Sequence, residues 1–263
     1  MKKYDFDKRI VFVGGAPRSG TTVTHALLCT SAHNNSYHPE ISFMRPLFTS
    51  YAVGVQSWTA HTNAFFRERS HFRAHIRKTV DLSLNYLNTV LRDPETLCVK
   101  DPLLTPSFHW VNELMDGQAA FVTVVRNPYD VVRSRQEVVE RSGDSFTPEI
   151  AAETAREYLR SYKHIDNETL RPRQFHFRYE DLNDPSVIEA LGKFTGYTDI
   201  STEKVWNSGT GVKEERAKSD PWFSPKYHSP INIERRLSPL ADRYAKVVER
   251  ICGKLIERFD YNA

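Results

Sequence analysis

A short glycine-rich stretch near the N-terminus has the spacing of a phosphate-binding loop. The stretch "GGAPRSGTTVTH" covers residues 14–25 and contains Gly15, four residues, Gly20 and then two threonines. A P-loop has the form G-x-x-x-x-G-K-[ST], and its lysine reaches the β- and γ-phosphates. Thr21 stands at the position of that lysine. The glycines permit tight backbone curvature, and the amides that open the next helix would point at an anion. The sequence therefore predicts an anion-binding loop that works without the usual lysine.

Side chains of the same loop can take over part of the role of the missing lysine. Arg18 lies inside the loop, and its planar guanidinium suits a pair of phosphate or sulfate oxygens. Thr21 and Thr22 add hydroxyl donors, and we expect Ser19 and Gly20 to complete the anion cradle. A plain strand-to-helix turn is the alternative interpretation. The preceding strand, the spacing and the paired threonines together favour anion binding.

A second motif, "VVRNPYDVVRSR" (124–135), places an arginine and a serine near the start of a helix. Arg126 ends a short apolar run, and Asn127 followed by Pro128 is a strong signal for the first residues of a helix. At the standard rise per residue, Ser134 lies ~10 Å along the helix axis from Asn127. An arginine that folds back and a serine hydroxyl can therefore meet one phosphate. By itself, the motif is better explained by a well-capped helix with a surface arginine.

The two motifs together resemble those of the sulfotransferases that use 3′-phosphoadenosine-5′-phosphosulfate (PAPS). In that family the first motif binds the 5′-phosphosulfate. An arginine and a serine eight residues apart bind the 3′-phosphate, and Arg126 and Ser134 have that spacing. The resemblance spans roughly residues 9–182. It implies PAPS as the donor, with no metal required, and 3′-phosphoadenosine-5′-phosphate (PAP) as the product.

Two further segments carry the same resemblance. In "FRYEDL" (177–182), Tyr179 matches the family tyrosine that borders the adenine. "CVKDP" (98–102) is similar to the Lys-Asp-Pro segment of the tyrosylprotein sulfotransferases, whose lysine assists the transfer. The resemblance therefore assigns Tyr179 to the nucleotide, and it assigns Lys100, together with Arg18, to neutralising charge on the sulfuryl group.

The acceptor hydroxyl needs a general base, and here the sequence departs from many family members. Cytosolic members carry a catalytic histidine directly after the lysine, whereas Asp101 follows Lys100 in this chain. The segment "SYHPEISFMR" (36–45) is the best place for a base, about where we expect a second strand to end near the active site. Glu40 lies in the region where the tyrosylprotein enzymes carry their glutamate base, and we favour it. His38 is the competing base.

A segment at about 207–239 is rich in glycine, serine, proline and charge. Long loops of this kind are often lids or binding segments, and sulfotransferases commonly close such a segment over the nucleotide. Arg235 and Arg236 are therefore candidates for the 3′-phosphate. Val23 stands where many cytosolic members have a tryptophan, so an aromatic residue from elsewhere must stack on the adenine. A solvated surface loop is the alternative for this segment.

The elements that must position these residues follow from the hydrophobic pattern. Short apolar runs alternate with amphipathic segments, which predicts an α/β fold: a P-loop-like three-layer structure with a central parallel β-sheet flanked by helices. Strands are predicted at 9–15, 96–100, 119–126 and 174–179. Helices are predicted at about 21–31, 62–91, 106–115, 148–170 and 239–259, with another that begins at Pro128. The absence of repeats and linkers favours one domain over residues 1–263.

The composition limits the function classes. A formal net charge of +3 in 263 residues is too small to indicate a nucleic-acid-binding protein. Cys29, Cys98 and Cys252 are widely spaced and without a C-x-x-C pair, which predicts reduced core thiols and a cytoplasmic location. The chain reaches its first strand within ten residues, so we expect no signal peptide or membrane anchor. No metal site is predicted.

The sequence thus predicts transfer of a sulfuryl group from PAPS to an acceptor hydroxyl of an alcohol, a phenol, a glycan or a tyrosine. An ATP-dependent small-molecule kinase is the alternative enzyme, and Thr21 at the lysine position speaks against it. A non-catalytic nucleotide-binding protein of the same fold is the other alternative. The candidate base and Lys100 speak against that interpretation.

Overall fold

A parallel sheet of four strands forms the centre of the described part of the chain. The computed structural model describes residues 5–205 and 239–261. The sheet order is β2-β1-β3-β4, and every neighbouring pair is parallel. The strands are β1 Ile10–Gly14, β2 Leu97–Lys100, β3 Ala119–Val125 and β4 Gln174–Arg178. Because β1 lies between β2 and β3, the loop that follows it opens at the middle of the carboxyl edge of the sheet, where open α/β sheets bind ligands.

Helices connect the strands within the described residues. They are α1 Thr21–Leu28, α2 Arg45–Gln56, α3 Ala60–Phe66, α4 Arg69–Val90, α5 Phe108–Leu114, α6 Pro128–Arg141, α7 Pro148–Ser161, α8 Pro185–Thr195 and α9 Asp242–Arg258. Short 3-10 helices lie at Ser42–Met44, Pro102–Ser107, Lys163–Asp166, Arg171–Arg173 and Tyr179–Asp181. No described helix has both the length and the apolar character that a membrane span requires.

The two faces of the sheet pack against different helices because successive side chains of a strand point to opposite sides. Ile10 and Phe12 of β1 belong to a core with apolar residues of α2, α4 and α5. Val11 and Val13 belong to a second core with residues of α1 and α8. Helices α6, α7 and α9 form a third cluster with the end of β3. The predicted α/β fold, a parallel sheet between helices, is confirmed.

Polar caps explain where three of the helices begin. The side chain of Asn127 accepts a hydrogen bond from the Tyr129 amide at the start of α6. Thr147 and Asp184 cap α7 and α8 in the same way. Each cap is followed by a proline at the first helical position, where the missing N–H costs nothing. The predicted helix start at Pro128 is confirmed.

Several predicted elements need correction. The single helix expected over 62–91 is two helices, α3 and α4, separated at Arg67, whose φ of 60° is incompatible with a continuing helix. The segment 36–45 contains no strand; instead the Ile41 amide donates to the Lys100 carbonyl (3.1 Å), and a 3-10 helix follows. The helix expected over 148–170 ends at Ser161. Helices α2 and α8 were not predicted.

Apart from Pro239, the predicted lid at 207–239 lies outside the described residues, as do Arg235 and Arg236.

Candidate active site

The loop between β1 and α1 bends at positions with positive φ angles. Gly15 has a φ of 143° and Gly20 a φ of 100°, values that residues with a Cβ rarely adopt. Arg18 also has a positive φ, 72°, which is a strained conformation for an arginine. The Ser19 amide donates to the Ala16 carbonyl (3.0 Å), and Ser19 is completely buried. Ser19 therefore helps to shape the loop from inside.

Two side chains from distant parts of the sequence form hydrogen bonds with the backbone of the loop. The Gly15 amide donates to Thr105 Oγ1 (2.9 Å), and this hydroxyl donates back to the Gly15 carbonyl (3.2 Å). The Ala16 amide donates to the hydroxyl of Tyr162 (3.0 Å), which itself donates to the Val124 carbonyl (3.0 Å). These bonds satisfy the buried amides and fix the shape of the loop. The loop is therefore organised before any ligand arrives.

Helix α1 begins directly after the loop and presents its N-terminus to the carboxyl edge of the sheet. Gly20 precedes the helix and offers no side chain to cap it. The amides of the first turn, which include those of Thr21 and Thr22, have no acceptor within the helix. Together with the positive end of the helix dipole, they can bind an anion.

A lysine from the neighbouring strand reaches the first turn of this helix. Lys100 pairs with Val13 in the sheet register, so it ends β2 beside the start of the loop. Its Nζ donates to Thr22 Oγ1 (3.0 Å) and to Glu40 Oε1 (3.1 Å). The Lys100 side chain is 4% exposed, whereas that of Glu40 is 43% exposed. The structure therefore brings Lys100, Thr22 and Glu40 together, with the carboxylate open to solvent.

Asp101 is held by an ion pair of its own. Its buried carboxylate accepts a hydrogen bond from Arg45 Nε (2.9 Å) and from the Leu103 amide (3.0 Å). Burial raises the pKa of Asp101, and the Arg45 guanidinium opposes that rise. The pair ties α2 to the chain that leaves β2, and it thereby supports the position of Lys100.

His38 faces main-chain carbonyls. Its Nε2 lies 3.1 Å from the Cys98 carbonyl oxygen, and its Nδ1 lies 2.6 Å from the Pro39 carbonyl oxygen. Burial lowers the pKa of His38. Both ring nitrogens thus lie against backbone oxygens, whereas the carboxylate of Glu40 lies against Lys100.

A second cluster contains five of the residues predicted to bind the nucleotide. Arg18 Nε donates to Ser134 Oγ (3.1 Å), and Arg126 Nη1 donates to the Arg18 carbonyl (3.1 Å). The Arg126 guanidinium carbon lies 4.7 Å from the centroid of the Tyr179 ring. The same ring packs so closely on Gly20 that a Cβ there would lie 2.3 Å from a ring carbon. The loop, the end of β4 and helix α6 thus meet at one place.

Glu180 supports this second cluster. Its carboxylate accepts hydrogen bonds from the Asn127 amide (3.0 Å) and from the hydroxyl of Tyr261 (3.1 Å). The hydroxyl of Tyr158 donates to the Arg126 carbonyl (2.8 Å). These contacts fix the chain on both sides of the Arg126 side chain.

Comparison with known proteins decides the family. Residues 11–198 match the family model described as the sulfotransferase family. This chain belongs to the sulfotransferase family. No curated protein sequence matches the chain.

Solved structures of other sulfotransferases share the fold of this one. The sulfotransferase domain of the Synechococcus PCC 7002 olefin synthase aligns with a TM-score of 0.60 at 17% identity, covering 100% of this chain and 98% of that chain. The sulfotransferase domain from the curacin biosynthetic pathway aligns at 0.53 and 15%, covering 98% and 99%. A sulfotransferase from Alicyclobacillus acidocaldarius aligns at 0.52 and 11%, covering 98% of both chains. At these identities the likeness establishes the fold alone.

Several residues that shape this sulfotransferase site were not expected from the sequence. Thr105 and Tyr162 hold the loop, and Arg45 holds Asp101. Thr105 and Tyr162 lie in no recognisable motif, and Arg45 is the last residue of the segment 36–45, in which only Glu40 and His38 were singled out. Glu180 is different, because it directly follows Tyr179 in the "FRYEDL" segment and could have been found there.

Proposed function

We propose that this sulfotransferase moves the sulfuryl group of PAPS to an acceptor hydroxyl by in-line attack, with Glu40 as the general base. The observation that carries the proposal is the double contact of Lys100 Nζ, with Thr22 at the start of α1 and with Glu40. A cation, an anion-binding helix end and a solvent-exposed carboxylate thus meet at one point. These are the groups that sulfuryl transfer to a hydroxyl requires.

The nucleotide takes its position from the loop and from the second cluster. The amides of the loop and of the first turn of α1 hold the 5′-phosphosulfate, with the hydroxyl groups of Thr21 and Thr22. Arg126 and Ser134 hold the 3′-phosphate, and Tyr179 borders the adenine. The contact between Arg18 Nε and Ser134 Oγ supports a place for Arg18 beside the 3′-phosphate as well. Its predicted contact with the sulfuryl group stays a prediction.

The reaction then follows from the groups around Lys100. The acceptor oxygen forms a bond to sulfur while the bond from sulfur to the 5′-phosphate oxygen breaks, and PAP leaves. Glu40 takes the proton of the acceptor hydroxyl, which makes the oxygen a better nucleophile. The ammonium of Lys100 and the α1 amides offset the negative charge that develops on the bridging oxygen and on the sulfuryl group. No metal is required for any of these steps.

Glu40 is preferred over His38 as the base for a geometric reason. Both His38 ring nitrogens lie against backbone carbonyls, so a proton taken up there would not come from an incoming acceptor. The Glu40 carboxylate is open to solvent beside the proposed sulfuryl position. The likeness of Lys100 and Glu40 to the lysine and the glutamate base of the tyrosylprotein enzymes stays a prediction. The acceptor hydroxyl belongs to an alcohol, a phenol, a glycan or a tyrosine.

The remaining sequence predictions belong to the same proposal. We expect residues 1–263 to act as one domain and the segment 207–239 to close over the nucleotide, with Arg235 and Arg236 near the 3′-phosphate. We also expect a cytoplasmic location. An ATP-dependent kinase is disfavoured for two reasons. Thr21 replaces the loop lysine. Asp101, which directly follows β2 and would be the candidate magnesium ligand, is paired with Arg45.

Calorimetric titration with PAP in the presence of EDTA tests the donor, beside titration with ATP and magnesium. The expected result is micromolar or tighter PAP binding without metal and weak ATP binding. Arg126→Ala should lose most of the PAP affinity. Arg141→Ala, at the exposed far end of α6, is the matched control and should bind like the wild type. Binding of ATP with magnesium but not of PAP would overturn the proposal.

Transfer from radiolabelled PAPS to a panel of phenols, alcohols, sugars and tyrosine peptides tests turnover. Labelled product from one member would identify the acceptor class. Tight PAP binding without transfer to any member of a broad panel would favour the non-catalytic alternative.

A further inference from the structure

Three metal-ligating side chains lie together beside the active site, between α1 and β2. One ring nitrogen of His25 and the Sγ atoms of Cys29 and Cys98 all lie within 4.8 Å of one another. His25 lies in α1 and Cys29 ends it four residues later, so the two share one face of the helix; Cys98 lies in β2. We propose that these three side chains bind one zinc ion, at a site separate from the sulfuryl-transfer chemistry.

The orientation of the His25 ring supports this assignment. Its Nε2 lies 3.0 Å from the Cys98 carbonyl oxygen. Its Nδ1 is buried and has no hydrogen-bond partner among the described residues. A buried polar atom without a partner is rare and calls for an explanation. Histidines that bind metals almost always donate their other ring N–H to a carbonyl or carboxylate, so Nδ1 is the coordinating atom in this proposal.

Three side-chain nitrogens lie within hydrogen-bond distance of the Cys98 carbonyl oxygen. Asn35 Nδ2 and His25 Nε2 each lie 3.0 Å from this oxygen, and His38 Nε2 lies 3.1 Å from it. Asn35 also accepts from the Cys98 amide (2.7 Å) and points a donor at Cys29 Sγ (3.7 Å). Asn35 therefore holds the backbone of Cys98 and approaches the sulfur of Cys29, as residues that support the ligands of metal sites do.

The chemistry of the ligands selects zinc. The neutral imidazole is the form that binds metals, and the contact of His25 Nε2 with the Cys98 carbonyl leaves Nδ1 for the ion. Two thiolates and one imidazole are a typical soft ligand set for zinc, and two thiolates neutralise its charge inside the protein. A water molecule would take the fourth tetrahedral position. Because zinc binds thiolates and not thiols, zinc binding would release protons and weaken at low pH.

The location puts the ion between two elements that carry active-site residues. It would join α1, whose first turn carries Thr22, to β2, two residues before Lys100. Both halves of the Lys100–Thr22 contact would thus be fixed by one ion.

The disulfide between Cys29 and Cys98 is the competing chemistry for the same two sulfurs.

Metal content and cobalt spectroscopy test the proposal on the full chain. Protein expressed with added zinc and purified under reducing conditions should hold an equimolar amount of zinc. Cobalt exchanged into the chelator-treated protein should give the thiolate charge-transfer and d–d bands of a tetrahedral site. Cys29→Ser, Cys98→Ser and His25→Gln should lose the zinc and these bands. Cys252→Ser is the matched control and should keep both, because this buried thiol lies in α9 and donates to the Ala155 carbonyl.

A second measurement keeps the proposal testable if the variants fail to fold. In the wild type, zinc should slow alkylation of Cys29, which is only half-buried, and chelation should restore it. Folded wild-type protein that binds neither zinc nor cobalt above the level of Cys29→Ser would overturn the proposal. A Cys29–Cys98 disulfide, found by mass spectrometry in unreduced protein that binds no zinc after reduction, would also overturn it.

Discussion

The ammonium group of Lys100 donates a hydrogen bond to the hydroxyl of Thr22 over 3.0 Å. The lysine of a P-loop comes from the loop itself, one position before its serine or threonine. Here the loop has Thr21 at that position, and the positive charge comes from the end of the adjacent strand β2. The register that pairs Val13 with Lys100 makes this possible, because parallel neighbours end at the same edge of the sheet. Lys100 therefore supplies a positive charge at the start of α1 although Thr21 replaces the loop lysine.

Replacement of Lys100 by methionine tests this relationship. Lys100→Met keeps an unbranched side chain but removes the charge that offsets the leaving group. We expect kcat to fall by ~10²–10³, the loss typical for one preorganised electrostatic group. PAP affinity should change little, because Arg126 and the α1 amides dominate nucleotide binding. Equal losses of kcat and of PAP affinity would instead make Lys100 a nucleotide-binding residue. Steady-state kinetics and calorimetry on the same preparations separate the two results.

Replacement of Glu40 by glutamine tests the general base. Glu40→Gln keeps the size of the side chain and its contact with Lys100 but cannot take a proton. We expect kcat to fall by ~10²–10⁴, the usual contribution of a general base, while PAP affinity is unchanged. His38→Asn should cost far less, since both ring nitrogens lie against backbone carbonyls. If the order of the two losses were reversed, His38 would be the base.

Gly20→Ala tests the junction of the loop with Tyr179. The new Cβ would lie 2.3 Å from the Tyr179 ring, at a φ of 100° that alanine disfavours. We expect a loss of about 1–3 kcal/mol in stability, from strain and displaced packing, together with weaker PAP binding. Gly253→Ala is the control, because its Cβ would meet no atom within 4 Å in α9. That variant should be neutral or more stable by up to about 1 kcal/mol, the helix propensity difference. Thermal unfolding and calorimetry report both effects.

The parts of the molecule that the sequence predicted are those with local signals. Strands β1, β2 and β3 are buried over their whole length, so their apolar runs mark their positions. Strand β4 alternates Phe175 and Phe177 with polar residues, and only Phe177 is buried. Arg126 and Tyr179 come directly after strands that are neighbours in the sheet, so the parallel arrangement brings them together. The contact of Arg126 with the Tyr179 ring therefore follows from two local motifs and one rule of sheet topology.

The parts that the sequence did not predict depend on distant contacts or on missing signals. Helix α2 begins after Met44, which offers no side-chain cap, so its start is marked by Pro46 in the first turn and by no polar residue. The bend at Arg67 uses a positive φ without glycine. The contacts of Arg45 with Asp101 and of Tyr162 with Ala16 join residues 56 and 146 positions apart. Only the assembled fold determines which side chains meet over such separations.

The buried His164 predicts how stability depends on pH. Its Nε2 lies 3.0 Å from Thr123 Oγ1, and burial, with smaller contributions from His109 and His176, lowers its pKa to about 4. Unfolded histidine has a pKa of about 6.5. Between these values the unfolded chain binds a proton that the folded protein does not, so the stabilisation is fully present above about pH 6.5 and is lost as the pH falls toward 4. The difference is worth about 3 kcal/mol.

Comparison of variants isolates this contribution from that of the carboxylates, which titrate in the same range. His164→Gln keeps a polar partner for Thr123 but removes the titrating group, so its free energy of unfolding should fall less steeply between pH 6.5 and 4 than that of the wild type. Denaturant titrations at several pH values measure both slopes. Identical slopes for His164→Gln and the wild type would mean that His164 becomes protonated in the folded protein, and that the space around it admits the charge.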